Sequence, residues 1–186
     1  MSDPHPTPTG RGTELRRRTL AGELVLGAFL DLASPIGAET CGRAGFDWLI
    51  IDLEHGAATE ADLLALLLAV EGTPATALVR PQSGERLRIG RALDLGAAGI
   101  MVPRLDTAEQ AREAVSFLRY PPGGARGVAL RTRALQLGSI AHADVRHMNE
   151  SILGIVQIES EAAVDEADAI AATDGVDVLF VGPADL

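Results

Sequence analysis

The stretch VDVLFVGPADL, residues 176–186, joins an apolar strand to a glycine-proline turn that carries one acidic side chain, Asp185. In a parallel α/β protein, catalytic side chains usually lie at the carboxyl ends of the strands. Three earlier apolar runs end in polar residues too: DLEHG at residues 52–56, Arg80, and QIE at residues 157–159. The sequence therefore predicts one site assembled from four strand ends.

Strands and helices alternate along the chain at the spacing of repeated βα units. Seven strands are predicted, at residues 24–30, 48–53, 75–80, 99–103, 127–130, 153–159 and 176–181. This pattern indicates an α/β fold of the TIM (β/α)8 barrel type. Because a closed barrel needs eight strands and typically about 250 residues, we expect the barrel to be truncated after its seventh strand. The chain is then either a fragment of a longer reading frame or a barrel completed by another subunit.

The rest of the chain is assigned from its composition. Residues 1–19, rich in Pro, Thr and Gly at their start, are predicted to form a flexible tail, and residues 20–186 the incomplete barrel domain. The polar segment 131–150 is expected to be a helical or irregular connection near the mouth of the site.

Charge and residue usage restrict the chemistry. The 186 residues contain 16 Arg, no Lys and 26 Asp or Glu, which gives a net charge of −10. A Schiff-base aldolase, a pyridoxal phosphate enzyme and a P-loop hydrolase all need a lysine. The negative charge disfavours nucleic acid and anionic membranes. With no export signal and no long apolar run, a cytoplasmic protein that acts on a small molecule is expected.

Two of the strand-end acids are candidate metal ligands. Gln157 and Glu159 are two residues apart on a strand, so their side chains point to the same face. Glu159 and Asp185, on adjacent strand ends, are placed to share one divalent cation such as Mg²⁺ or Mn²⁺. The alternative is that Glu159 precedes a helix as a solvated loop residue and that Asp185 is a helix cap.

The other two strand ends suggest an anion site and a base. Arg80 ends an apolar strand, where a buried guanidinium needs an anionic partner. That partner is either a carboxylate or enolate substrate, or Asp52 or Glu54 on the neighbouring strand. His55 follows Asp52 by three residues, which places the carboxylate to orient the imidazole as a general base. The alternative is an ordinary surface histidine.

Six blocks of the sequence, in this order, resemble the HpcH/HpaI family of metal-dependent pyruvate aldolases. They lie at residues 45–56, 79–81, 93–103, 119–127, 157–159 and 175–186, and the likeness runs from about Leu20 to the end. The resemblance implies a phosphoenolpyruvate-binding type of TIM barrel. It also implies a class II aldolase that cleaves 4-hydroxy-2-oxo acids into pyruvate and an aldehyde.

The resemblance also implies a role for each matching residue. Glu159 and Asp185 would hold a divalent metal ion, Mg²⁺, Mn²⁺ or Co²⁺. Arg80 would stabilise the enolate, His55 with Asp52 would act as the base, and Gln157 would hydrogen-bond in the site. The backbone around Gly182, Pro183, Ala184 and Asp185 would receive the pyruvate carboxylate. A full-length protein would be a homo-oligomer, a trimer or hexamer.

Two alternatives stay open at this point. One is a carbon-carbon lyase of the citrate-lyase or malyl-CoA-lyase type on the same barrel, although the DLEH and QIE blocks favour the aldolase. The other is an inactive truncated remnant with a binding role.

Overall fold

The computed structural model of the protein describes residues 10–186. Six strands form one parallel sheet, and their order in the sheet follows their order in the chain. The strands are β1 (Gly27–Leu30), β2 (Trp48–Asp52), β3 (Thr76–Arg80), β4 (Gly99–Val102), β5 (Leu153–Ile158) and β6 (Val178–Val181). The architecture is a curled half-barrel.

The helices after β1 join the strands and cover one face of the sheet, whereas the first helix precedes β1 and packs against the interior cluster. The helices are α1 (Arg11–Leu20), α2 (Pro35–Gly42), α3 (Leu63–Glu71), α4 (Arg86–Asp94), α5 (Ala108–Ser116), α6 (Glu161–Asp165) and α7 (Ala167–Ala171). Two 3-10 segments, Arg133–Gly138 and His142–Ser151, precede β5. Side-chain caps begin several helices: Thr107 forms a capping box with Gln110, and Ser34 accepts from the N–H of Gly37. Within residues 10–186, none of these helices has the length and apolar character needed to cross a membrane.

Two apolar clusters lie on opposite faces of the sheet. The larger one packs the helices onto the sheet, and the smaller one fills the concave interior with residues such as Ile50, Leu78 and Ile155. The rings of Phe29 on β1 and Phe180 on β6 meet edge to face, with centroids 5.7 Å apart. Because four strands separate β1 from β6 in the sheet, this contact requires strong curvature.

The segment predicted as a flexible tail is helical where the structure describes it. Leu15 of α1 is 3% exposed and belongs to the interior cluster. Arg16 donates two hydrogen bonds to Asp177, of 3.0 and 2.7 Å. The prediction of a tail is therefore wrong for residues 11–19, because one buried leucine and a bidentate ion pair fix the helix against the barrel. Residues 1–9 lie outside the described part.

The predicted strand at residues 127–130 is also wrong, so the sheet has six strands and not seven. These residues are exposed, and β4 pairs directly with β5. The preceding backbone is used in a turn, where Ala125 N–H donates to the carbonyl of Ser116 and Arg126 N–H to that of Arg119. A turn closed in this way leaves no extended segment to insert between β4 and β5.

The connection at residues 131–150 lies at the opposite end of the barrel from the place predicted. Arg133 Nε donates to the carbonyl of Leu95, just before β4 begins, at 3.0 Å. Helix α5 ends at the amino end of the sheet, and without a strand at 127–130 the chain has no segment that crosses to the other end. The connection therefore covers the amino ends of the strands.

Candidate active site

Strand alternation brings three polar side chains to the carboxyl end of the concave face. Each of β2, β3 and β5 contributes an apolar residue to the interior cluster, and the residue two positions later points the same way. These later residues are buried and polar: Asp52, Arg80 and Gln157. Three of the predicted site residues thus meet because the pleat of parallel strands places them in one layer.

The guanidinium of Arg80 is the centre of this layer. Its Nε and Nη2 donate to the two oxygens of Asp52 at 2.9 and 2.7 Å, and its Nη1 donates to Gln157 Oε1 at 3.2 Å. Its carbon lies 5.0 Å from the centre of the Phe29 ring, a cation–π contact. The alternative interpretation of Arg80 as one half of an ion pair is therefore confirmed. Three of its five N–H groups are used, and two stay free for a further acceptor.

Burial and ion pairing shift the pKa values of Asp52 and Arg80 in opposite directions. Burial raises the pKa of Asp52, but hydrogen bonds from Arg80 and from the backbone N–H of Glu54 together outweigh burial and lower that pKa below its ordinary value. Burial lowers the pKa of Arg80, and its contacts with Asp52 reverse the effect and raise it. Both groups are charged at neutral pH.

Glu54 is a site residue that the sequence interpretation assigned no catalytic role. Its side chain is only 9% exposed, its Oε2 lies 3.4 Å from Arg80 Nε, and that oxygen accepts no hydrogen bond. Burial raises the pKa of Glu54 above its ordinary value, although the positive charge of Arg80 opposes the rise. A buried carboxylate without a full set of hydrogen-bond donors destabilises the folded protein, and groups of this kind are found most often at functional sites.

His55 lies at the rim of the site. Its side chain is 66% exposed, and its Nε2 is 3.8 Å from Glu54 Oε1. Asp52 accepts a hydrogen bond from the backbone N–H of His55 at 3.3 Å, and its oxygens face Arg80 and backbone groups. The predicted orientation of the imidazole by Asp52 is therefore wrong, because the chain turns after Leu53 and places Glu54 next to the ring.

Glu159 is held by hydrogen bonds on both oxygens. Oε1 accepts from the backbone N–H of Arg104 at 2.7 Å, and Oε2 accepts from the side-chain amide of Gln157. Because Gln157 also accepts from Arg80, one amide joins the buried guanidinium to this carboxylate. Gly182 approaches closely, since a Cβ on it would lie 2.9 Å from Gln157 Nε2 and 3.2 Å from Glu159 Cβ. The contact explains the glycine at the end of β6.

The carboxyl end of the barrel opens into a cavity of about 330 Å³. It is lined by Glu54, His55, Arg104, Asp106, Glu159, Ser160 and Asp185. Glu159 and Asp185, the two predicted metal ligands, thus line the same cavity. Within residues 10–186, three or more His, Cys, Asp or Glu side chains are nowhere grouped as a ready-made metal cage. Two carboxylates with the other positions open to water or substrate fit Mg²⁺ or Mn²⁺, which bind oxygen and keep several waters.

The turn after β6 offers fewer backbone donors than the sequence suggests. Gly182 N–H donates to the carbonyl of Ile158 at 2.9 Å, and Pro183 has no N–H. The N–H groups of Ala184 and Asp185 have no acceptor within residues 10–186. These two are the donors that remain for an incoming carboxylate.

Arg104 is a second residue that the sequence interpretation did not include in the site. It follows β4, whose polar end was not among the four strand ends of the predicted site, and it lines the cavity with an exposed side chain. The same strand-end argument that selected Arg80 and Asp185 was sufficient to find it. By contrast, the burial of Glu54 depends on the turn after β2, which the sequence pattern does not specify.

Comparison with known proteins finds a matching family for this chain. The model of the HpcH/HpaI aldolase/citrate lyase family matches residues 26–186. The 5-keto-4-deoxy-D-glucarate aldolase of Klebsiella pneumoniae subsp. pneumoniae is 43% identical over 89% of this chain. The 4-hydroxy-2-oxovalerate aldolase of Novosphingobium aromaticivorans is 48% identical over 89% of the chain. The chain spans 64% and 63% of the lengths of these two relatives.

The fold comparison gives the same result. A crystal structure of an HpcH/HpaI aldolase/citrate lyase family protein from Burkholderia cenocepacia J2315 superposes with a TM-score of 0.88 and 40% identity. The match covers 94% of this chain and 70% of the Burkholderia chain. The expected truncated TIM-barrel fold is thereby confirmed, with six strands in place of seven.

Proposed function

Because this chain belongs to the HpcH/HpaI aldolase/citrate lyase family, we propose that it is a metal-dependent aldolase that cleaves 4-hydroxy-2-oxo acids into pyruvate and an aldehyde. The observation that carries the proposal is the buried Arg80, which is bound to Asp52 and linked through Gln157 to Glu159. A cation at that place, with two N–H groups free, is suited to an oxygen that becomes negative during a reaction.

The proposed metal site uses Glu159 and Asp185, and Mg²⁺, Mn²⁺ or Co²⁺ is the expected occupant. The family generally depends on a divalent metal ion. When bound, the ion would act as a Lewis acid that polarises the 2-oxo group of the substrate. The N–H groups of Ala184 and Asp185 would receive the substrate carboxylate and fix its orientation.

The proposed reaction is a proton transfer coupled to carbon-carbon cleavage. His55, exposed at the rim with Glu54 beside its ring, removes the proton of the 4-hydroxyl group, which becomes the aldehyde carbonyl as the C3–C4 bond breaks. The electron pair of the C3–C4 bond forms a C2=C3 double bond, the π pair of the 2-oxo group moves to its oxygen to give an enolate, and the two free N–H groups of Arg80 stabilise that charge. Protonation at C3 then gives pyruvate. Asp52 has a positioning role, because it fixes Arg80 and the backbone of His55.

We propose that the full-length protein is a homo-oligomer of three or six subunits in the cytoplasm. Several large apolar side chains that flank β1 or lie at the start of α2 are exposed, which supports self-association: Leu24, Leu26, Leu32 and Ile36. Light scattering coupled to size exclusion measures the assembly directly, and a monomer at micromolar concentration would contradict this part of the proposal.

The activity is tested by adding Mg²⁺, Mn²⁺ or Co²⁺ with a 4-hydroxy-2-oxo acid and coupling released pyruvate to lactate dehydrogenase. We expect release that depends on metal, stops with EDTA and is lost in Arg80→Ala. Metal binding without turnover of any such acid would favour the inactive remnant. Turnover of malyl-CoA in its place would favour the citrate-lyase type, although four carboxylates around the cavity are unfavourable for an anionic acyl-CoA.

A further inference from the structure

A second cavity lies at the opposite end of the barrel from the candidate active site. Its volume is about 400 Å³, within the range of about 300–1,000 Å³ that is usual for small-molecule sites. Three parts of the chain enclose it: the first turn of α1, the residues just before β4 and β5, and the connection at residues 131–150. The length of the strands separates this cavity, which we call the amino-end cavity, from the candidate active site.

The first turn of α1 borders the amino-end cavity with backbone donors that the helix leaves free. The N–H of Glu14 donates to the carbonyl of Gly10 at 3.1 Å and is the first to do so. The three N–H groups before it, at residues 11–13, have no acceptor within residues 10–186. Gly10, the cap residue, has no side chain that could accept from them. A helix start of this kind favours a negative charge.

Buried polar atoms without a partner are a second, independent observation at the same place. Tyr120 is 1% exposed and Arg126 is 3% exposed, and both line the amino-end cavity. The Tyr120 hydroxyl and Arg126 Nε make no hydrogen bond within residues 10–186, and the same holds for the buried hydroxyl of Thr13. Because buried polar atoms in proteins are nearly always paired, three unpaired ones around one cavity indicate a ligand with hydrogen-bond acceptors.

Contacts with the rest of the chain hold these donors in place. Asn149 accepts from the N–H of Tyr120 at 2.7 Å and donates to its carbonyl at 3.0 Å. The guanidinium carbon of Arg126 lies 4.3 Å from the centre of the Tyr120 ring, and Nη2 donates to Asp94 at 3.1 Å. Burial raises the pKa of Tyr120, so its hydroxyl keeps its proton at neutral pH. The cavity is therefore preorganised to donate hydrogen bonds.

The charge of the amino-end cavity is opposite to that of the active-site cavity. Arg126 and Arg133 line it with a single carboxylate, Glu71, whereas four carboxylates line the active-site cavity. Arg133 donates from Nη2 to Glu71 at 2.6 Å and from Nε to the carbonyl of Leu95 at 3.0 Å, and its Nη1 makes no hydrogen bond within residues 10–186. The rest of the lining is largely apolar and includes Ala97, Ala98, Ile140, Met148 and Ile152.

From these observations we infer that the amino-end cavity binds a small phosphomonoester with a compact apolar body. The phosphate oxygens accept from the first N–H groups of α1, from Arg133 and from the Tyr120 hydroxyl, and the apolar body contacts side chains such as Met148 and Ile152. A phosphate suits this site better than a carboxylate, because its three terminal oxygens match donors that come from several parts of the chain. The inference does not depend on the proposed function.

Phenyl phosphate and benzyl alcohol test the inference, because they share an aromatic body of similar size and only the first carries a phosphate. Titration calorimetry in EDTA keeps metal ions out of the active-site cavity. We expect the protein to bind phenyl phosphate about 10- to 100-fold more tightly than benzyl alcohol, as charge-assisted hydrogen bonds provide. Equal affinity for the two, or no binding of phenyl phosphate at millimolar concentration, would overturn the inference.

Two variants locate the bound phosphate. Arg133→Gln should weaken phenyl phosphate about 10- to 100-fold, and Tyr120→Phe, which removes only the hydroxyl, about 2- to 10-fold. Because that hydroxyl has no partner within residues 10–186, Tyr120→Phe should melt at the same temperature as the unchanged protein or higher. Unchanged affinity in both variants would refute the assigned site.

Matched controls separate this site from general charge effects and from the active site. Arg131→Gln removes an exposed arginine of the same connection that does not line the amino-end cavity, so it should keep the affinity for phenyl phosphate. Arg80→Lys, at the other end of the barrel, should keep it too. If Arg80→Lys weakened phenyl phosphate as much as Arg133→Gln, the phosphate would bind in the active site and the inference would fail, while the proposed aldolase activity would be unaffected.

Discussion

Asp52 and Arg80 are register partners on the adjacent strands β2 and β3, and their side chains form a two-bonded ion pair at 2.9 and 2.7 Å. Their side chains are 2% and 9% exposed. The pairing of the two strands thus fixes the backbone of Arg80, and the carboxylate of Asp52 fixes its guanidinium group. A group held at both ends loses little entropy when it binds a developing charge, which is the condition for electrostatic catalysis.

The first prediction concerns the loss of Arg80. Arg80→Ala leaves Asp52 buried without its cation, so the free energy of unfolding should fall by about 3–5 kcal/mol. Arg80→Lys keeps the charge but not the two-bonded geometry, so it should fold and lose about 100-fold or more in pyruvate release. Urea unfolding and the coupled pyruvate assay measure both effects. Arg43→Lys, in an exposed pair with Glu39, is the matched control and should change neither. Near-full activity in Arg80→Lys would contradict the assigned role.

The second prediction concerns how the contribution of Asp52 to the unfolding free energy depends on pH. Its pKa is lowered in the folded protein, so the stability it contributes is present above its unfolded pKa of about 3.9 and is lost as pH falls through the folded pKa. Asp52→Asn should be less stable at pH 7, because Arg80 is left unpaired. It should also show a shallower fall in unfolding free energy below about pH 4. Urea unfolding at several pH values gives the two slopes, and equal slopes would show that other carboxylates dominate.

The concave layer of the site was predictable because it depends only on strand periodicity. Asp52, Arg80 and Gln157 each end an apolar run, and parallel strands with a period of two place them on one face regardless of the loops. The same logic extended to β4 identifies Arg104. What periodicity does not describe is the turn after a strand. The course of the chain after Leu53 decides that Glu54, and not Asp52, lies beside the His55 ring.

The errors in the fold have a similar origin. The run at residues 127–130 is apolar enough for a strand, but the turn before it uses backbone donors of residues 125 and 126 locally. The sequence of helix α1 is mostly polar, with three consecutive arginines at residues 16–18, and Leu15 is its one buried residue. The ion pair between Arg16 of this helix and Asp177 joins residues 161 positions apart in the chain, which no local pattern reveals. Contacts between residues far apart in the sequence are therefore the part of the fold that the local sequence pattern does not predict.

The third prediction is a gain in stability with a loss of function at Glu54. Because burial raises its pKa, the stability it contributes is present below its unfolded pKa of about 4.3 and is lost as pH rises through the folded pKa. Glu54→Gln removes the buried charge, so it should be more stable than the unchanged protein at pH 7 and similar at pH 4. Pyruvate release should fall about 10- to 100-fold, because the His55 ring loses its anionic neighbour. A variant less stable at pH 7 would contradict the sign of this effect.

The fourth prediction concerns the proposed metal ligands. A ligand that binds only the folded protein stabilises it by about 2.7 kcal/mol at 100 times its Kd, so Mn²⁺ should raise the melting temperature. Asp185→Asn and Glu159→Gln should each remove most of that rise. Asp185 is exposed, so its variant should melt normally without metal. Asp165→Asn, an exposed acid outside the cavity, is the control for general charge effects. A full rise in both ligand variants would place the ion elsewhere.

The last prediction uses the close approach of Gly182. A Cβ at this position would lie 2.9 Å from Gln157 Nε2 and 3.2 Å from Glu159 Cβ, so Gly182→Ala must displace the amide or the carboxylate. The backbone conformation of Gly182 is open to alanine, since it is absent from the positive-φ positions. The melting temperature without metal should therefore change little, while the Mn²⁺-induced rise and pyruvate release should both fall. Gly90→Ala in α4, where a Cβ meets nothing within 4 Å, is the matched control and should gain about 0.5–1 kcal/mol in stability. If Gly182→Ala kept the full metal response, the position of Glu159 would not matter for the ion, and the hydrogen bonds from Arg104 and Gln157 would have a purely structural role.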